Sequence, residues 1–191
     1  MSESIEAHTI IEEGDHLRYV CSNGLSFIVD KEDRAILESK TFCIDQRGYV
    51  TTDRKHTLLT HLLLGVDGTT IVDHINGNPF DNRKSNLRIA SEHQNKWNYK
   101  LSKKNRSGYK GVSYFSKNRK YAAEIGVMGK RYFLGLYKDP AEAARAYDEA
   151  AREFYGDFAA LNFPEAGEQG CHRSADTVVM EVRNERERTA C

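Results

Sequence analysis

The sequence predicts an α+β protein built from small successive units. Three observations lead there. Short β-prone runs and brief helical stretches alternate over residues 1–65. A strand, a long polar loop, a strand and a helix follow over 66–100. Three β-prone runs and one alanine-rich helix, the pattern of a three-stranded antiparallel sheet packed on a helix, fill 108–164.

The first segment, 1–65, is a small mixed α/β element. Leu17 to Val29 is strand-like with an Asn23-Gly24 turn, and Asp30 with Asp33 at its third position caps a short helix through Leu37. Thr41–Ile44 and Tyr49–Thr52 read as strands around Arg47-Gly48. Leu58 to Leu64 is apolar except at Thr60 and His61 and reads as a helix stopped by Gly65.

Residues 66–100 change character. Thr69–Val72 is a short strand, after which Asp73-His74 opens a polar loop running to Asn86. Leu87–Ile89 is a second strand, and Ser91 with Gln94 forms a capping box that starts a helix toward Tyr99. A basic linker occupies 101–107. The unit at 108–164 has strands over Gly108–Phe115, Lys120–Val127 and Lys130–Lys138. Asp139-Pro140 then supplies an N-cap and a first-turn proline. The mixed-charge tail 165–191, poor in large apolar residues, is expected to be disordered.

Composition narrows the function classes. The chain is 191 residues long, and no apolar run approaches the ~20 residues that span a bilayer. Its acidic N-terminal stretch lacks the basic start and apolar core of a signal peptide. A cytoplasmic place (the nucleoid or a phage-infected cell) is therefore expected, and not a secreted one. Cysteines 21, 43, 171 and 191 form no close pair, which excludes a zinc ribbon. The formal net charge is zero, yet its distribution is not even. Residues 1–45 carry −6, residues 46–138 carry +12, and residues 139–191 carry −6. A basic middle between acidic ends is the electrostatic footprint of a polyanion binder.

Chemistry concentrates at Asp73-His74. A carboxylate beside an imidazole offers a hard oxygen ligand and a proton acceptor near neutral pH, the two needs of phosphodiester hydrolysis. Asp73-His74-Ile-Asn-Gly-Asn78, Asp81-Asn82-Arg83, Ser85-Asn86-Leu87-Arg88 and Glu92-His93-Gln94-Asn95 resemble the HNH endonuclease family. An asparagine in place of the last histidine is the form of the phage homing-endonuclease branch. The resemblance implies a ββα-metal fold over 66–100, His74 as general base and Asn86 as the orienting middle asparagine. It implies Asp73 and Asn95 as ligands of one divalent metal, Mg²⁺ or Mn²⁺. Arg83, Lys84 and Arg88 are candidate DNA-phosphate contacts. Thr60-His61 departs from the His-Arg usual upstream in related proteins.

In the last unit, Tyr109–Val112, Tyr121–Ile125, Arg131–Gly135, Ala141–Asp148 and Leu161–Pro164 resemble the plant ethylene-response-factor DNA-binding domain, of apetala-two type. Strand alternation places Tyr121, Ala123, Ile125, Val127, Tyr132, Leu134 and Leu136 toward the helix. It places Lys120, Glu124, Arg131, Phe133 and Tyr137 on the other face. The resemblance implies that this other face enters the major groove, with contacts at Lys110, Ser113, Phe115 and Arg131, and alternation adds Phe133 as an exposed aromatic on the DNA-binding face. Plant domains carry arginines where Ser113, Phe115 and Gly126 stand, so base reading is reduced and phosphate contacts from Lys117, Arg119, Lys120 and Lys130 dominate.

The expectation is a metal-dependent DNA endonuclease with double-stranded DNA as partner, no membrane and no small-molecule cofactor. The alternative is a non-cleaving DNA-binding regulator with a degenerate nuclease module. Oligomeric state is not legible in the residues.

Overall fold

A computed structural model describes residues 8–52, 57–102 and 104–171. They form two compact units that divide between Ala90 and Ser91.

The first unit opens with an antiparallel sheet, β1 (His8–Glu13), β2 (His16–Cys21) and β3 (Ser26–Asp30), in sequential order. The β2–β3 hairpin matches the expectation, and β1 is an addition. β1 is an edge strand of exposed and half-exposed residues, none buried, ending in Glu12 and Glu13, so its sequence lacks the clean alternation that marks a half-buried strand. A 3₁₀ turn at Lys31–Asp33 leads into α1 (Arg34–Ser39). Asp30 does not cap it; its Oδ2 accepts instead from the Lys84 amide at 2.7 Å. β4 (Phe42–Ile44) pairs with β5 (Val50–Thr52), and α2 (Leu59–Leu64) ends at Gly65, whose φ of 63° is the left-handed conformation a helix stop requires.

β6 (Ile71–His74) and β7 (Leu87–Ala90) close the unit as an antiparallel pair. Asp73 and His74, expected to open the loop, are the last two residues of β6. One apolar core serves the whole unit: Leu17, Tyr19, Phe27, Val29, Leu37, Phe42, Leu59, Phe80 and Leu87 are all buried in it. Tyr19 stacks on Phe27 at 4.9 Å and meets Phe42 edge-on at 5.7 Å. The segment 1–65 and the strands that follow thus share one core, in which Phe80 and Leu87 are buried beside the side chains of the first sheet and helices.

The second unit starts with α3 (Glu92–Trp97), opened by the expected Ser91–Gln94 capping box. β8 (Val112–Phe115), β9 (Lys120–Val127) and β10 (Lys130–Tyr137) form an antiparallel sheet in the order β10-β9-β8. α4 (Pro140–Tyr155) covers one face with Ala143, Ala144, Tyr147, Ala150 and Ala151, and Asp139 caps it by accepting from the Ala141 amide at 3.0 Å. Small side chains let the helix lie close to the sheet. Gly111, at φ 74°, sits where any Cβ would enter the Tyr147 ring. Trp97 of α3 stacks on Tyr155 at 4.6 Å.

Buried Asp148 organises the chain after α4. It accepts from the Asn162 amide, Asn162 Nδ2 and the Phe163 amide at 2.8–3.0 Å. Residues 165–171 were expected to begin a disordered tail, but β11 (Ala160–Leu161) pairs in parallel with β12 (Gln169–Gly170), and Cys171 is fully buried. Hydrogen bonds from Lys100 Nζ to Gly170 O and from the Leu101 amide to Cys171 O hold this stretch. Partners some 70 residues away are invisible to local composition. The rest of the expected tail, 172–191, lies outside the described residues. No described helix is long and apolar enough to cross a membrane.

Candidate functional site

The loop between β6 and β7 is fastened to the first sheet by backbone. The Ile28 amide donates to Phe80 O at 2.8 Å and the Asn82 amide donates to Ile28 O at 2.9 Å. Asparagines and one aspartate supply the loop's internal bonds. Asn86 Oδ1 accepts from the Asn76 amide at 2.9 Å, and its Nδ2 donates to Asp81 O at 2.7 Å and Asn76 Oδ1 at 3.0 Å. Asn86 is buried and both ends of its amide are engaged within the loop. Its side chain is spent on the loop's own geometry.

His74 ends β6 with Nε2 3.2 Å from Asn82 Oδ1. Asn82 is 1% exposed, and its Nδ2 donates to Pro79 O at 3.1 Å, which turns Oδ1 toward the imidazole. An amide oxygen only accepts, so Nε2 carries the proton and Nδ1 is the basic nitrogen. Burial pushes the His74 pKa below its ordinary value. The Asn82 bond and the charges of Asp73 and Asp81 oppose that shift without reversing it. A neutral imidazole at neutral pH is the form a general base needs. The motif itself assigns Asn82 no role; the sequence signal for it is its place eight residues after His74 in a loop crowded with amides.

Asp73 is 5% exposed and lies opposite Arg88 across the β6–β7 pair. Arg88 donates from Nε to Asp73 Oδ2 at 2.9 Å, and its Nη2 is 2.7 Å from the same oxygen. The other two cations expected on DNA phosphate also hold carboxylates. Arg83 donates from Nε and Nη2 to the two Asp81 oxygens, each at 2.8 Å. Burial alone would raise the Asp81 pKa; the Arg83 bonds outweigh it and lower the value. Lys84 Nζ bridges Glu32 at 2.6 Å and Asp33 at 2.8 Å, and these partners raise its pKa well above that of a free lysine. His61 is buried in α2 with Nε2 2.9 Å from Thr70 O, tying the helix to the approach to β6. Asn95, the expected second metal ligand, stands on α3 in the other unit. No group of three or more His, Cys, Asp or Glu side chains suited to a metal gathers among the described residues.

In the second unit the sheet face away from α4 carries Ser113, Phe115, Lys120, Glu124, Arg131 and Phe133. Register proves the grouping: Phe115 pairs with Lys120, Ser113 with Ala122 and Phe133 with Glu124. Phe115 and Phe133 are 44% and 62% exposed on this face, two large apolar rings open to a partner. Arg131 Nη1 lies 3.6 Å from Glu124 Oε2. Lys117 and Arg119 occupy the exposed turn between β8 and β9, and Lys130 begins β10 on the face that Val127 shares.

Two expectations are corrected here. The register slips between Phe133 and Gly135, so Leu134 is an extra residue and alternation inverts beyond it. Tyr137, expected outward, pairs with Tyr121 and packs toward the helix; Leu136, expected inward, pairs with outward Ala122. Lys110, expected on DNA, is turned inward. Its Nζ donates to Trp97 O at 2.7 Å, its backbone is clamped by Asn162, and burial lowers its pKa to about 8.

Comparison with known proteins agrees with both halves. A family model described as HNH endonuclease matches residues 53–96. Protein 3.8 of Escherichia phage T7 is 34% identical over 88 residues, covering 46% of this chain and 72% of that protein. An uncharacterized HNH endonuclease of Acanthamoeba polyphaga mimivirus is 37% identical over 91 residues, 48% of this chain and 46% of its own length. An ethylene-responsive transcription factor of Medicago truncatula is 44% identical over 86 residues, 44% of this chain and 33% of the factor. The chain thus spans less than half the length of the mimivirus and Medicago proteins. With the paired strands and asparagine-rich loop around His74 and the sheet-on-helix unit that follows in sequence, the chain belongs to the HNH endonuclease family and carries an ethylene-response-factor-type domain after its HNH module.

Proposed function

We propose that the protein is a metal-dependent endonuclease that hydrolyses phosphodiester bonds of duplex DNA, its target held by the outer face of the β8–β10 sheet. The observation that carries this reading is the His74 imidazole at the end of β6, with Nε2 3.2 Å from the buried Asn82 Oδ1 and next in sequence to the Asp73 carboxylate. His74 Nδ1 takes the proton of the attacking water. Asn82 keeps the ring in its Nε2–H form, and Asn86 holds the loop that positions both. The donors Asp73 and, from the sequence resemblance, Asn95 are oxygen groups, which suit a hard cation with water and phosphate oxygens completing its shell rather than a four-ligand zinc. Bound there, Mg²⁺ or Mn²⁺ would neutralise charge on the scissile phosphate and the leaving oxygen. Lys117, Arg119, Lys120 and Arg131 supply phosphate contacts from that face and the β8–β9 turn, with Phe115, Phe133 and Ser113 facing the groove.

The test is cleavage of supercoiled plasmid by the full chain with Mg²⁺ or Mn²⁺, and again with EDTA. Nicked or linear product that disappears in EDTA and in Asp73→Ala is expected. A folded parent that binds duplex DNA and cuts it under none of these conditions is the alternative, a DNA-binding regulator.

A further inference from the structure

Three cations of the β6–β7 module are held by carboxylates, but only one of those carboxylates is a proposed metal ligand. Arg83 is engaged by Asp81 and Lys84 by Glu32 and Asp33. Arg88 is engaged by Asp73, with Nε and Nη2 converging on the single oxygen Oδ2 at 2.9 and 2.7 Å. The two side chains are only 15% and 6% exposed, so salt screens this pair little. Their backbones stand opposite each other in the β6–β7 register, which keeps the guanidinium at the carboxylate without help from a mobile loop.

We propose that Arg88 gates cation binding at Asp73: it neutralises the carboxylate until DNA phosphate arrives to take the guanidinium. This rests on the nuclease reading above. The reason is charge balance. One carboxylate cannot compensate a divalent cation and a guanidinium together in a site shielded from solvent, where like charges repel strongly. Each phosphate brings an added negative charge and a fork-shaped acceptor that guanidinium matches in two bonds. Cation uptake is therefore weak in the free protein and is coupled to substrate. The exchange makes and breaks no covalent bond. Arg88 is thus a positioning residue for the cation and a phosphate contact only once DNA is bound.

The experiment is a titration of the full chain with Mn²⁺ and no DNA, read by the paramagnetic resonance signal of free aqueous Mn²⁺. The variants are Arg88→Gln, Arg88→Met and Arg88→Lys, each checked for native circular dichroism. Arg88→Gln keeps a hydrogen-bond donor near Asp73 and serves if Arg88→Met does not fold. Both uncharged variants are expected to bind Mn²⁺ at least ~10-fold more tightly than the parent, one tenfold step being about 1.4 kcal/mol. Arg88→Lys, still charged, is expected to stay near the parent. Adding Asp73→Asn to Arg88→Gln is expected to abolish the gain. A folded Arg88→Gln protein that binds Mn²⁺ no more tightly than the parent overturns the gate, as does a gain that survives Asp73→Asn. Plasmid cleavage by the parent is scored separately and tests the nuclease reading alone.

Discussion

Asn82 Oδ1 stands 3.2 Å from His74 Nε2, with Asn82 itself almost wholly buried and its amide nitrogen bonded to Pro79 O. Through this contact Asn82 favours the Nε2–H tautomer of His74, which makes Nδ1 the basic nitrogen. His74→Ala is expected to lower the single-turnover nicking rate by at least ~10²-fold, the usual share of a general base, with duplex affinity unchanged. Equal losses of binding and cleavage would make His74 a folding or binding residue.

The pH dependence of cleavage follows from the same contact. Burial is the largest influence on His74 and lowers its pKa, so the acid limb of the pH–rate profile is expected to have its midpoint below the ordinary ~6.5 of histidine. The Asn82 bond raises the value, so Asn82→Ala is expected to move the midpoint further toward acid and to reduce the plateau rate. An unmoved midpoint in this variant counts against the assignment of Nε2 to Asn82.

Lys120 and Lys110, both expected on DNA, differ in where their ammonium groups lie. Lys120 lies on the outer sheet face beside Phe115, while the Lys110 ammonium is spent on Trp97 O. Lys120→Ala is expected to flatten the log–log salt dependence of duplex binding by about one unit. Lys110→Met is expected to leave that slope unchanged. Salt titrations of full-length protein on one duplex compare them directly.

Lys110 also predicts a pH dependence of stability. Its pKa is about 8 in the folded chain, below the ordinary 10.5 of a free lysine. Between these values the unfolded chain binds the proton more tightly, so stability should rise with pH from about 8 to 10.5 and be lost as pH falls back through 8. The stability difference, parent minus Lys110→Met, is expected to grow by at most about 3 kcal/mol over that window. Urea unfolding at several pH values measures it, and a flat difference removes the buried-ammonium assignment.

Among the described glycines of the second unit, Gly111 is the one where an added Cβ would meet a neighbour most closely, the Tyr147 ring. Gly111→Ala places a methyl in the ring and a side chain at φ 74°, and is expected to cost about 3 kcal/mol or more. A thermal melt reads the loss. Gly108→Ala, equally left-handed at φ 79° but with open space around it, is expected to show the smaller backbone penalty alone.

The sequence by itself determined what neighbours in the chain decide. The Ser91–Gln94 capping box, the Asp139 cap, the Gly65 stop and the strand boundaries of β9 are all set by residues within four positions of one another. The Asp73-His74 pair and its asparagine-rich loop were legible for the same reason, since the motif is contiguous. The tertiary structure alone decided which side chains meet. Lys84 reaches Glu32 across 52 positions, Asp30 serves the Lys84 amide instead of capping its own helix, and the Asn162 side chain clamps Lys110 from 52 positions away. No local period reveals such partners, because an ion pair depends on where two elements pack and not on what lies beside each residue. The bulge at Leu134 shows the same limit within one strand. One unpaired residue reverses every side chain after it, and only the register against β9 records that it is there.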